Sequence, residues 1–202
     1  MRFAGALVAG TTLVVAACGG GEPRELAGYR REPAPVVGQF ALPDLSADRS
    51  DPSDFPLRAE TGELLVVYFG YTNCPDFCPT TLSDLRLATR RMNEADTADI
   101  DVAVITVDPD RDVPVLAEYV TSFFEHGHAL GTEDAGLLAR IAAPFGAQYN
   151  VHQTDDGEIE VAHTTQLYAI DDSGELVLTW QFGVTIDDLA ADLEHLLEAT
   201  RS

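Results

Sequence analysis

One unbroken apolar run, LLVVYF at Leu64 to Phe69, constrains this chain more than any other feature. Six consecutive apolar residues leave no side for water, so the run predicts a strand buried on both faces. The chain then passes through YTNCPDFCPTT, Tyr71 to Thr81, into a stretch with Leu82, Leu85, Ala88 and Met92 at helical spacing. Thr81 with Asp84 suggests a capping box and sets the expected helix over 80–93. Two cysteines, Cys74 and Cys78, therefore sit between a core strand and a helix start.

The remaining pattern extends that unit. VAVITV at Val102 to Val107 predicts a second buried strand, followed by the turn DPDRD. Leu116, Tyr119, Val120 and Phe123 mark a helix, and Leu137, Leu138 and Ile141 mark another over Glu133 to Phe145. Gln166 to Ile170 and Glu175 to Trp180 flank the turn DDSG and predict a hairpin. Thr185 to Ala199 closes the chain as a helix with Ile186, Leu189, Leu193 and Leu196 inward. This order implies an α/β sandwich with a mixed central sheet. The 202 residues, 46% of them hydrophobic, suit one domain with a real core.

The first seventeen residues form a different segment. Arg2 is a minimal basic region, and Phe3 to Ala17 is apolar or small throughout. It is short for a membrane span and ends in small residues, which predicts a signal peptide over 1–17. Val15-Ala16-Ala17-Cys18 resembles a bacterial lipobox, so Cys18 is the expected lipidation site. An ordinary cleavage site and a retained anchor are the alternatives. Gly, Pro and charge through residues 18–37 read as a flexible, lipid-anchored tether, with the folded domain at 38–202.

The formal net charge is −22, and every one of the 12 basic residues is arginine. That composition excludes a basic face for nucleic acid. The acids are spread along the chain, which favours a solvation role over a local binding patch.

The cysteine count is odd: Cys18, Cys74 and Cys78. Lipidation of Cys18 would leave one close pair in an oxidising compartment. Four residues apart in a helical turn, the two sulfurs would share a side. The helix N-terminus is expected to favour thiolate and lower the thiol pKa. Pro75 and Pro79 stiffen the loop. Three uses stay open. A structural bridge over so short a loop would stabilise little. A redox pair needs only these two thiols. A metal needs further ligands.

Five histidines are available. His126 and His128 fall in an expected solvated loop over 125–131. His152 lies in a polar stretch and His195 on the polar side of the last helix. His163 stands in AHTT, immediately before the strand QLYAI. In a thioredoxin-like sandwich that position faces the cysteine loop. Two thiolates and one imidazole would suit copper(I), or copper(II) with an added oxygen ligand. Structural zinc would want a fourth protein ligand.

GYTNCPDFCPTTL, Gly70 to Leu82, closely resembles the motif of the Sco/SenC family, the copper proteins of cytochrome c oxidase assembly. The likeness runs from about Val37 to the last helix. It takes in VDPDRD, LGTED, AAPFGAQY and the histidine followed by LYAIDDSGEL. The resemblance implies a thioredoxin-like fold and one copper held by Cys74, Cys78 and His163. It implies delivery to the binuclear copper site of oxidase subunit II, outside the bacterial membrane, with copper received from a donor protein. Reduction of the receiving cysteines is a second implied role. Ala162 departs from the family, where an aspartate often precedes the histidine. Asp108, Arg111 and Asp112 match a recurring family feature, read either as turn and cap or as a brace for the copper loop.

Competing chemistries fit less well. A thiol–disulfide oxidoreductase would use the pair, but C-x-x-x-C replaces C-x-x-C and His163 replaces the substrate-docking proline. The peroxiredoxin motif P-x-x-x-T-x-x-C fails at both cysteines.

Overall fold

The computed structural model describes residues 25–46 and 53–201. The expected signal peptide over 1–17 and Cys18 lie outside the described residues. The chain opens with a small ribbon, β1 (Ala41–Pro43) against β2 (Asp54–Pro56). The core strand β3 (Leu64–Gly70) follows, then α1 (Phe77–Thr89), α2 (Glu94–Ala98) and β4 (Ile100–Thr106). Next come α3 (Pro109–Asp112), α4 (Leu116–Phe123), β5 (His128–Leu130) and α5 (Ala135–Phe145). A hairpin of β6 (Tyr149–Gln153) and β7 (Ile159–His163) precedes β8 (Leu167–Ile170), β9 (Leu176–Trp180) and α6 (Ile186–Thr200).

The main sheet has five strands in the order β5-β4-β3-β8-β9. β3, β4 and β5 run parallel, β8 is antiparallel to β3, and β9 is antiparallel to β8. Every residue of β3 is buried, as its unbroken apolar run requires. Alternation sends Leu64, Val66 and Tyr68 to the face covered by α1, α4 and α6. Leu65, Val67 and Phe69 meet the opposite layer, built around α5 with Val37, Leu42 and Leu57. The result is a thioredoxin-like α/β sandwich with a mixed sheet.

Four expectations need correction. Helix α1 begins at Phe77, so Cys78 lies in its first turn. Pro79 is tolerated there because the first helical N–H groups have no partner within the helix. The capping box does not form, and Thr81 donates instead to the Phe77 carbonyl at 2.8 Å. His128 is not a solvated loop residue; it begins β5, and its Nδ1 lies 2.7 Å from Asp44. The sequence marks no hairpin at β6–β7, only a polar stretch around His152. The hairpin pairs outside the main sheet and exposes most of its residues on both sides.

The fourth correction concerns residues 25–37, expected as tether with the domain starting at 38. From Leu26 onward this segment is part of the fold. Tyr29 exchanges two backbone hydrogen bonds with Thr179 of β9, at 2.9 and 3.0 Å. Val37 is fully buried. The buried carboxylate of Asp192 on α6 clasps the segment through Ala27 N (2.9 Å) and Gly28 N (3.0 Å). The same oxygen accepts from the Trp180 indole at 2.9 Å. At the other sheet edge, Leu45 N donates to the Ala129 carbonyl of β5 at 2.8 Å. Non-sheet chain thus covers both outer strands. Among the described residues, no helix is long and apolar enough to cross a membrane.

Candidate metal centre

The centre forms where β3 ends. Gly70 permits a close approach: a Cβ there would lie 2.7 Å from the Tyr68 ring and 3.3 Å from Cys78 Sγ. The chain then loops through Cys74 and enters α1 at Phe77. The Cys78 N–H donates to Cys74 Sγ at 3.3 Å, which ties the loop to the helix start. Both thiols are free. Cys78 is fully buried, whereas Cys74 is 8% exposed.

His163 arrives from the far end of the chain, as the last residue of β7. Its Nδ1 lies 2.8 Å from the Thr164 carbonyl. A carbonyl only accepts, so Nδ1 carries the proton and Nε2 is left with its lone pair. Nε2 stands 3.5 Å from Cys78 Sγ. Tyr68 and Tyr71 set their rings edge-on to the imidazole, with centroids 6.0 and 5.5 Å away. The three ligand atoms of Cys74, Cys78 and His163 all lie within 4.8 Å of one another. Among the described residues, no other three Cys, His, Asp or Glu side chains converge so closely.

Electrostatics at the pair differ from the sequence expectation. Burial, reinforced by the neighbouring Cys74, pushes the Cys78 thiol up to about 12. Desolvation of the buried sulfur outweighs the helix N-terminus here. Burial likewise lowers the His163 pKa, against the opposing pull of the Thr164 and Phe69 carbonyls. The ring is therefore neutral at neutral pH, the form that binds metals.

The DPDRD turn meets the cysteine loop. Asp112 is fully buried. Its carboxylate accepts from Thr72 N at 3.0 Å, from the Thr72 hydroxyl at 2.6 Å and from the Thr106 hydroxyl at 2.6 Å. Asp108 caps no helix through its side chain and pairs instead with Arg111. The motif pointed to Asp112, but Thr72 and Thr106 carried no signal of their own. Ala162 is exposed and pairs with Asn150 in the hairpin. Strand alternation turns position 162 away from the face of His163. His126, His152 and His195 do not join the centre.

Fold and site together define a thioredoxin-like domain with a convergent Cys2His cluster at a strand-to-helix turn. Comparison with known proteins makes the assignment narrower. The SCO1/SenC family model matches residues 29–198, and the chain belongs to that family. An SCO2-like protein of Rickettsia prowazekii is 30% identical over 168 residues, covering 77% of this chain and 80% of that one. The human mitochondrial SCO2 homolog is 32% identical over 148 residues, covering 71% of this chain. The chain spans about half the length of such mitochondrial relatives, 53% in the human case. Copper-bound ScoI of Bradyrhizobium japonicum superposes with a TM-score of 0.64 at 29% identity, covering 77% of this chain and 96% of that one. Apo Sco1 of Thermus thermophilus gives 0.69 at 28% identity, covering 87% and 99%.

Proposed function

We propose that this protein is a copper chaperone for the binuclear copper site of cytochrome c oxidase subunit II. One copper ion is held by Cys74, Cys78 and His163, taken from a donor protein and passed on outside the cell membrane. The observation that carries the reading is the approach of two sulfurs and the His163 Nε2 lone pair within 4.8 Å. Two soft thiolates with one imidazole favour copper over metals that prefer oxygen, and structural zinc would want a fourth protein ligand. Copper bound to the Bradyrhizobium relative supports the same cargo. Residues 1–17 are a signal peptide, and Cys18 carries the lipid that keeps the domain at the membrane.

A second reading rests on the unequal exposure of the thiols. Cys74 keeps some contact with solvent, whereas Cys78 is fully buried, with its N–H on Cys74 Sγ. Cys74 thiolate could attack a disulfide on the client, and Cys78 would then resolve the mixed disulfide. The client gains two thiols while Cys74 and Cys78 form a disulfide, so electrons balance.

Copper(I) titration of the reduced domain against a competing chelator separates the two. One equivalent is expected to bind, with loss on His163→Ala, Cys74→Ser or Cys78→Ser. Unchanged binding by His163→Ala, together with rapid disulfide reduction by the wild type, would replace the chaperone reading with the reductase one.

A further inference from the structure

The N-terminal segment enters the fold at one particular end of the sheet. β9 is antiparallel to β8, and β8 to β3, so the end of β9 lies beside the end of β3. Tyr29 bridges Thr179, one residue before the end of β9, while Val36 bridges Glu175 at the opposite end. The chain therefore arrives at the copper end and runs away from it. Side-chain contacts agree. Gln166, three residues after His163, donates to the Tyr29 hydroxyl at 3.2 Å. Phe182, just past β9, packs its ring edge-on against Phe77 at the start of α1, with centroids 5.0 Å apart.

From these contacts we infer that the copper end of the domain is its membrane-facing end, which presents the metal to a partner held in the same membrane. The inference rests on the lipid anchor at Cys18. Seven peptide links separate Cys18 from Glu25. Fully extended, they reach at most about 25 Å. The entry point lies three strand spacings from β3, about 14 Å sideways. The Asp192 clasp on Ala27 and Gly28 keeps that entry point from moving along the domain. A short leash fixed at one end favours the orientation in which that end faces the anchor.

An independent feature favours the same end. Among the described residues, three aromatic side chains are exposed: Tyr29, Phe77 and Phe182. All three stand at the copper end. Tyrosine is favoured at membrane–water boundaries, and exposed phenylalanine rings gain by dipping just beneath them. The partner is accordingly a membrane-held protein whose thiol or imidazole acceptors stand within a few tens of ångströms of the lipid surface.

Energy transfer to the membrane tests the orientation. The full-length protein, matured in a bacterial host and reconstituted into phosphatidylglycerol and phosphatidylethanolamine vesicles, carries a donor dye on an unnatural residue. The dye replaces Gln181 at the copper end or Ser173 in the turn at the opposite end, about 20 Å apart in the direction of β9. The acceptor is a dye on the lipid headgroups. Transfer from position 181 is expected to exceed that from 173 by about twofold or more, given that separation. Inserting a long Gly-Ser segment after Gly20 is expected to erase the difference. Equal transfer in the parent, or greater transfer from 173, overturns the orientation while leaving the anchor intact. Loss of vesicle retention in Cys18→Ser is expected. Retention of that variant, or failure of the parent to be retained, overturns the anchor and the inference with it.

Discussion

At the scale of single residues, burial decides the chemistry of the centre. Cys78 is fully buried, and its thiol is pushed up to about 12. The folded state thus holds this proton more tightly than the unfolded chain, whose thiol titrates near the ordinary value of 9.0. Stability linked to Cys78 is fully present below that ordinary value and is lost as pH rises toward about 12. Denaturant melts of the reduced, metal-free domain should therefore show a steeper alkaline loss than Cys78→Ser. Equal alkaline slopes would contradict the burial of this sulfur. His163 follows the same physics with opposite sign. Burial favours its neutral form, and the Thr164 carbonyl leaves Nε2 free for a metal.

At the scale of elements, the Asp192 clasp joins α6, β9 and the N-terminal segment through one carboxylate oxygen. Asp192→Ala would strand the buried Trp180 indole and two backbone N–H groups. The expected cost is about 3 kcal/mol, since hydrogen bonds to a charged acceptor are among the stronger ones. Hydrogen exchange should show early loss of protection at the Tyr29 and Thr179 amides, and unchanged protection there would refute the clasp. The elements differed in how legible they were. β3, β4, β8, β9 and α6 announced themselves because each buries a patterned apolar face. Cys74, Cys78 and His163 were legible from residue type and family likeness. The hairpin β6–β7 was not, because it exposes residues on both sides and Val151, Ile159 and Val161 form no strong alternation. The Asp44–His128 contact joins residues 84 apart, and no local pattern encodes it. The packing of residues 26–37 was hidden by their Gly, Pro and charge. What fixes them is supplied by Asp192 and β9, far along the chain.

At the scale of the whole molecule, a formal charge of −22 sets a repulsion that the fold must overcome. Salt shortens the reach of that repulsion from about 30 Å at 0.01 M to about 3 Å at 1 M. The thermal midpoint should rise with sodium chloride, by about 3 °C for each kcal/mol of repulsion relieved. A flat or falling midpoint in calorimetry would show that the acids already sit in balanced surroundings. The covered outer strands have a different consequence. Tyr29 and Val36 lie along β9, and Asp44 and Leu45 lie along β5. Among the described residues, neither border of the main sheet offers a free row of backbone donors and acceptors. Along the main sheet a partner therefore has no seam into which it could stitch a strand of its own, and strand addition is left to the outlying hairpin β6–β7. Contacts with the main sheet are left to loop tips and side chains, a handshake between two folded bodies that keeps them separate.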